Sequence, residues 1–562
     1  MPSAGPRTGW HAWSESWGAQ LVALVVVAAA TIAARLPFLL RGSRFFDSDE
    51  AVEGLMARHV LLGELPMFLW GQRYKGVPEV YATAAAFHWW PASVIVLKAV
   101  TLGCFALYVC LNFRLLTRLF SRRISWIATA FLIAGPPSLV FWSLSGSAEV
   151  VMSLIAGTSL CLGLDAWRRD KSRAGLVVAA AALGFGLWVQ QYILYYVVAL
   201  AVTAIDWTPQ GRARIRERMA ARVLPTWLRL VLGAITVAAC VYIVLGIAAF
   251  LGAGFDVTMF GVRITVTHPQ KMWWIAAALL LTGAAGFLGG QIVWGPVRTA
   301  WLAPALGFLL GYAPALAGRL LADGPGAPIS RMDLDRLQSV WSPFVSTVLP
   351  IVFGFKSPTT ERLAVPAWPA LIIVIAIVVS YRRAGQAGRA GQTGQALFHV
   401  FLITTPIVFI VSGGYIDEQS YRYLMPLHAA LPVVYAVGID SAFRTNRIAG
   451  IALLTSLLAL FVWQQAAWYR RLEPDRESPA ILSCLDRSGV RAAYADYWVS
   501  YKVTFLTDER VIVAPNNGAD RYPPYTEIVR AQPSAPTIER LPSGSGDAIS
   551  CQSIIHVAPS RP

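Results

Sequence analysis

Arg41-Gly-Ser-Arg-Phe-Phe-Asp47-Ser-Asp49-Glu50-Ala-Val-Glu53-Gly-Leu-Met-Ala-Arg58-His59 follows directly on an apolar run that begins near Gln20. As a helix, an apolar run of about 20 residues crosses a hydrocarbon core roughly 30 Å thick. Four carboxylates between positions 47 and 53, led by Arg41 and Arg44, are too costly to share that core. The chain therefore enters a bilayer, leaves it, and sets a dense group of ionisable side chains at the surface it reaches.

Outward from this stretch the same alternation recurs. Apolar runs begin near Gln20, Pro91, Ile124, Ala148, Ala174, Tyr192, Trp227, Met272, Thr299, Ala364, Ala396, Leu424 and Ala449, about thirteen candidate spans by the window rule. Only Gln190 and Gln191 separate the two runs between 174 and 204. Of the 562 residues, 56% are hydrophobic and 14% charged, where a soluble domain carries about 25% charged. Trp89-Trp90, Trp273-Trp274, Trp463 and Trp468 stand at the ends of runs, as interfacial aromatic belts require. The formal charge of +16 does not indicate a nucleic-acid partner, because most of the arginines lie in short loops between apolar runs. A cleaved signal peptide is not expected either, since the first 18 residues hold a single Arg and no apolar core.

The loops carrying Arg114/Arg118/Arg122/Arg123, Arg168/Arg169/Lys171/Arg173, Arg212 to Arg222, Arg382/Arg383/Arg389 and Arg444/Arg447 all fall on one side, which the positive-inside rule makes the cytoplasm. This predicts a polytopic all-α membrane protein with a cytoplasmic N-terminus (1–19) and a transmembrane domain (20–470). Its outside segments are a first loop (41–90), a second (319–363) and a tail (471–562) that forms a small α/β unit. In the tail 478–488 reads as a helix, 490–494 and 510–514 as strands, and 497–505 as the element between them. The Gly-rich stretch 385–394 reads as a cytoplasmic linker. Cys104, Cys110, Cys161 and Cys240 fall within spans, leaving Cys484 and Cys551 as a candidate disulfide in an oxidising compartment.

The first loop holds the chemistry. It runs on to Trp70-Gly-Gln-Arg73-Tyr-Lys75-Gly-Val-Pro-Glu79-Val-Tyr81. One reading of its acids is structural: Asp47 caps a helix with Glu50 at the third position, and the other acids favour the positive end of the dipole. The other is catalytic. Five cations (Arg41, Arg44, Arg58, Arg73, Lys75) on a side that normally avoids them ask for an anionic partner such as a lipid phosphate. For Arg73 and Lys75 the structural alternative is snorkelling to the interface.

One span followed by Phe-Phe-Asp-Ser-Asp-Glu-Ala on an outside helix resembles the GT-C superfamily. More narrowly it is similar to glycosyltransferase family 39, with the protein O-mannosyltransferases and the aminoarabinose transferases of lipid A. A second stretch, Ser420-Tyr421-Arg422-Tyr423-Leu-Met-Pro426-Leu-His428, resembles the Arg-Tyr-Leu-Leu-Pro-Leu-Tyr-Pro type of segment common in these proteins. The resemblance implies an inverting transfer of a sugar from a polyprenyl-phosphate carrier to a glycan, lipid or protein acceptor, on the periplasmic face of a bacterial inner membrane. Such chemistry needs a base for the acceptor and cations for the departing phosphate. The resemblance implies Asp49 as the base, with Glu50 orienting the acceptor or binding a cation; an alignment shifted by two places selects Asp47 instead. Arg73, Lys75 and Arg422 are the candidates for the phosphate, and Glu79, Tyr81, Tyr421 and Tyr423 for the substrate. A divalent cation (Mg or Mn) is compatible with the resemblance, because some relatives use one. No His/Cys cluster has the spacing of a zinc site.

Two other classes compete with this reading. A secondary transporter or lipid flippase would show paired halves and polar breaks in the spans, whereas no internal repeat is evident and the acids gather in a loop. A scaffold that had lost its activity has no need of the acidic and basic set in the first loop. In the tail, Tyr494 to Phe505 and Arg521-Tyr-Pro-Pro-Tyr525 suit either sugar stacking or packing of the tail onto the membrane part.

Overall fold

Helix α1 (Trp17–Leu39) turns its apolar side chains outward: Leu21, Val22 and Val25 are all more than half exposed. The same holds for Leu230, Val237 and Val244 of α10 below. Such surfaces are stable only in lipid. The computed structural model describes residues 17–146, 149–204, 226–252, 255–259, 262–266, 302–321, 334–359, 366–386, 392–412, 417–539 and 555–556, with single residues between 269 and 276.

After α1 come α2 (Ser48–Leu61), a hairpin of β1 (Phe68–Leu69) and β2 (Gln72–Gly76), and α3 (Pro78–Trp89). The membrane part continues with α4 (Val94–Leu119), α5 (Arg122–Ile133), α6 (Pro137–Trp142), α7 (Glu149–Asp170), α8 (Arg173–Val189), α9 (Ile193–Ala204) and α10 (Thr226–Phe250). A hairpin of β3 (Phe255–Met259) and β4 (Val262–Val266) precedes α11 (Leu302–Leu321). Next is α12 (Leu334–Pro343), which runs through a π turn into Leu349–Val352. Then follow α13 (Ala370–Gln386), α14 (Gln392–Val411), a 3-10 helix (Glu418–Ala429), α15 (Leu431–Thr445) and α16 (Arg447–Arg471). Among the described residues α1, α4, α7, α10 and α16 are long and apolar enough to cross a membrane. The 3-10 helix and α15, bent by 46°, make a sixth crossing if they act as one. Shorter apolar helices are α8, α9, α13 and α14. The chain breaks at Gln190, as the two glutamines suggested. Most of the span expected from Met272, and residues 387–391 of the linker, lie outside the described residues.

The β1–β2 and β3–β4 hairpins were not anticipated, and neither was Arg35, fully buried in α1, where it caps the broken end of α5. Pro136 and Pro137 stop that helix and leave its last carbonyls without partners. Arg35 donates to the carbonyls of Leu132 (3.0 Å) and Ile133, and to Ser143 Oγ (3.3 Å).

Among the described residues, the basic loops at 114–123, 168–173 and 444–447 meet at one end of the bundle. There Arg118 binds Asp165 and Asp170, both at 2.6 Å, and Arg123 and Arg444 flank Asp440. At the opposite end the first loop meets the tail. Arg41 and Arg44 donate to the carbonyls of Tyr469 and Leu472, where α16 ends. The tail comprises α17 (Glu477–Ser488), β5 (Ala492–Ala495), α18 (Tyr497–Leu506), β6 (Ile512–Pro515), α19 (Pro523–Arg530), β7 (Thr537–Ile538) and β8 (Ile555–His556). Strand order is β6-β5-β7-β8, with β5 parallel to both neighbours and β8 antiparallel to β7. Cys484 on α17 is disulfide-bonded; Cys551 lies outside the described residues.

Helix α18 docks onto α2 and α3. Tyr497, Tyr501 and Phe505 form one apolar cluster with Phe46, Val52, Leu55, Met56, Val80 and Phe87. The tail aromatics on this face pack against the membrane part.

Candidate active site

Asp47 begins α2: its carboxylate accepts the Glu50 N–H at 3.0 Å, a helix cap. Once the helix starts, successive side chains point about 100° apart, so Asp49 and Glu50 face different surroundings. Glu50 turns inward to Lys98 of α4, whose ammonium lies 2.8 and 2.6 Å from its two oxygens. Burial pushes the Glu50 carboxyl up to about 7, with Lys98 acting against that shift. Burial, reinforced by the charge of Asp49, raises Asp47 to about 6.

Asp49 turns toward the tail, and its side chain is 26% exposed. Its Oδ1 accepts a hydrogen bond from Tyr497 Oη, and Arg521 Nη2 lies 3.5 Å from the same oxygen. Arg521 Nε in turn donates to Tyr497 Oη at 3.1 Å. Oδ2 of Asp49 takes no hydrogen bond from any described residue. Burial alone would raise this carboxyl, but Lys75, Arg521, the Tyr497 phenol and Arg422 together hold it below the ordinary aspartate range.

The cations come from three elements. Lys75 on β2 pairs with Glu149, the first residue of α7, at 2.7 Å, and both are nearly buried. Arg422, on the 3-10 helix, donates to Tyr423 Oη at 3.3 Å and lies 5.2 Å over that ring. It makes no ion pair with a described carboxylate, and its buried Nε lacks a partner. Glu149 Oε1 and Tyr192 Oη, which act electrostatically on Arg422, are also buried without partners. Orphaned polar atoms this close together mark where a polar ligand would be satisfied.

Among the other residues singled out in the sequence, Arg73 is half-buried and makes no hydrogen bond or ion pair to a described residue. Glu79 is buried, accepts from Thr101, and is raised to about 7 by burial. Tyr81 donates to the Pro66 carbonyl (2.8 Å) and Tyr421 to that of Pro358 (3.1 Å), which ties both phenols to backbone. Tyr423 carries Arg422 and meets Tyr192 edge-on, with centroids 5.7 Å apart. Sequence reasoning missed Lys98, Glu149 and Tyr192; it singled out the stretches holding Tyr497 and Arg521, but as stacking or packing surface and not as partners of Asp49. Lys98 was detectable as the one charge inside its apolar run, since an ionisable group there needs a partner.

Most of the acids at this site already have partners. Glu50 is committed to Lys98, Glu149 to Lys75, and Asp47 to its helix cap. Among the described residues no three His, Cys, Asp or Glu side chains converge as ligands.

No family model matches the chain, and no curated protein does. Solved structures do match. ArnT from Cupriavidus metallidurans, bound to undecaprenyl phosphate, has a TM-score of 0.48 at 11% identity, over 93% of this chain and 90% of that one. Its apo state gives 0.45 at 11%, over 90% and 87%. Archaeal oligosaccharyltransferase AglB from Archaeoglobus fulgidus, in complex with an inhibitory peptide and a dolichol-phosphate, gives 0.46 at 14%. That match covers 89% of this chain but 64% of AglB, so the chain spans less than two thirds of that protein. At 11–14% identity and these TM-scores the likenesses carry no role and no residue to this chain.

Proposed function

We propose that this protein is a membrane glycosyltransferase that moves a sugar from a polyprenyl-phosphate carrier to an acceptor on the extracytoplasmic face. The observation that supports the reading is a carboxylate oxygen, Asp49 Oδ2, that takes no hydrogen bond from any described residue, within electrostatic reach of Arg422, which has no carboxylate partner among the described residues. Of the three adjacent acids, Glu50 is neutralised by Lys98 and Asp47 is spent on its cap. Asp49 is ionised at neutral pH and can accept a proton.

In the proposed reaction an acceptor hydroxyl or amine gives its proton to Asp49 Oδ2 as it attacks the anomeric carbon. The new bond forms on the face opposite the phosphate, and the configuration inverts. The bond from the anomeric carbon to the phosphate oxygen breaks, and its electron pair leaves with the phosphate. Arg422 takes the leading role in holding that phosphate, since Lys75 is already half-neutralised by Glu149; Arg73 lies on the same hairpin as Lys75. Donor hydrogen bonds aimed at developing charge are the largest electrostatic aid to such a step. The basic residues at the opposite end of the bundle support an outside site and a cytoplasmic N-terminus, by the positive-inside rule.

The test is incubation of purified protein with radiolabelled undecaprenyl-phosphate sugars and a membrane extract. Covalent labelling of an acceptor, lost in Asp49→Asn, supports the reading. Movement of the lipid across vesicles without covalent transfer would sink it in favour of a flippase.

A further inference from the structure

Asp49 draws both partners of its Oδ1 from the tail, 448 positions away in the case of Tyr497. The tail holds these two side chains from several directions. Tyr497 opens α18, where Asp496 caps the helix by accepting the Trp498 N–H at 2.9 Å. Asn517 accepts the Tyr497 N–H at 3.1 Å and donates to Asp496 at 2.9 Å. The Arg521 N–H donates to Tyr501 Oη at 2.7 Å, and that phenol donates to Asp520 at 3.3 Å. Gly71, at φ +67, completes the seat: a Cβ there would lie 3.3 Å from Arg521 Cα, in a backbone region L-residues avoid.

Docking of the tail has other contacts besides the Tyr497 hydroxyl and the Arg521 guanidinium. It is provided by the aromatic cluster between α18 and α2 and by Arg58, which donates to the Phe505 carbonyl at 2.9 Å and pairs with Asp508 at 2.5 Å. His59, bound to Glu64 and Glu509, adds a further clasp. The Tyr497 ring is part of that cluster and the Arg521 backbone lies against Gly71; what the Tyr497 hydroxyl and the Arg521 guanidinium add across this junction falls on one oxygen of one carboxylate.

On the reading of function given above, we infer that the C-terminal domain is a working part of the active site, with Tyr497 and Arg521 as positioning residues that hold Asp49 Oδ1 and leave Oδ2 to face the acceptor. The phenol hydrogen bond and the guanidinium charge both favour the ionised carboxylate, which agrees with the depressed Asp49 carboxyl. Removing either partner therefore raises the pH at which Asp49 ionises.

The experiment compares full-length wild type, Tyr497→Phe, Arg521→Gln and Arg521→Lys in detergent. A carbodiimide, which modifies protonated carboxyls, is applied across pH, and modification of Asp49 is followed by peptide mass spectrometry. The half-modification pH is expected to rise by about one unit in Tyr497→Phe and Arg521→Gln, and less in Arg521→Lys. In parallel, release of undecaprenyl phosphate from its sugar conjugates with a membrane extract gives the rate profile. Its acid limb should move the same way, with kcat falling more than the donor KM. An unmoved Asp49 titration in both variants, with wild-type melting, would overturn the inference even if activity fell. Full transfer by Asp49→Asn would instead remove the proposed reaction, and the titration would still decide whether the tail controls this carboxyl.

Discussion

Glu50 and Lys98 form an ion pair from which solvent is almost wholly excluded: their side chains are 2% and 0% exposed, and the closest approach is 2.6 Å. A buried pair is weak evidence of net stabilisation, but breaking it strands a charge. Lys98→Met should lower unfolding stability in detergent by about 3 kcal/mol. Adding Glu50→Gln to that variant should recover most of the loss. A double variant as unstable as the sum of the singles would show that the two groups do not act as a pair.

The acids at the start of α2 separate by the kind of damage their substitution causes. Asp47→Ala should cost about 1 kcal/mol of stability through the lost cap, whereas Asp47→Asn keeps a good capping residue. Asp49→Asn should leave melting unchanged and reduce transfer by about 100-fold or more. Loss of transfer in Asp47→Asn with its survival in Asp49→Asn would reverse the assignment.

His59 makes docking of the tail sensitive to pH. Its ring nitrogens face Glu64 at 2.7 Å and Glu509 at 3.1 Å, with Tyr522 and Tyr525 also in reach and Arg58 and Asp508 beside them. Burial opposes protonation, yet the hydrogen bonds that the imidazole makes to Glu509 and Glu64 raise it above its ordinary value. A raised histidine contributes stability fully present below its unfolded pKa of about 6.5, and lost as pH rises through the folded value. Glu509 is lowered, chiefly by its bond to His59 working against burial, so its contribution is lost as pH falls through that lowered value. The melting midpoint should therefore drop as pH is raised beyond neutral, and His59→Gln should flatten that dependence. Identical slopes for wild type and variant would exclude the histidine as the cause.

The contact between α2 and α18 depends on a missing side chain. A Cβ on Gly54 would lie 2.5 Å from Phe505 Cε2. Gly54→Ala should cost about 1–3 kcal/mol by overpacking, seen as a lower melting midpoint. Phe505→Leu in the same chain should restore part of it.

Much of this arrangement was legible along the chain because it is local. The Asp47 cap, the break at Gln190 and the helix-strand order of the tail follow from residue types within a few positions of one another. The pairings were not legible, because a sequence carries no register between distant elements. Nothing near Lys75 names Glu149, and nothing near Asp49 names Tyr497 or Arg521. Lys98 and Arg35 announced themselves only as charges that apolar runs should not contain. The Tyr497–Phe505 stretch left sugar stacking and packing equally open, since both need the same aromatic surface; only the placement of α18 against α2 separates them.

The span from Asp49 to Arg521 also has a consequence for biogenesis. A chain threaded into the membrane from its N-terminus exports Asp49 early, then waits for every later helix before the segment carrying Tyr497 and Arg521 follows. The carboxylate is thus held unclad through nearly the whole of synthesis. On the proposed assignment of Asp49, the site is complete only once the segment carrying Tyr497 and Arg521 has joined it, so products stalled before that segment are expected to be inactive.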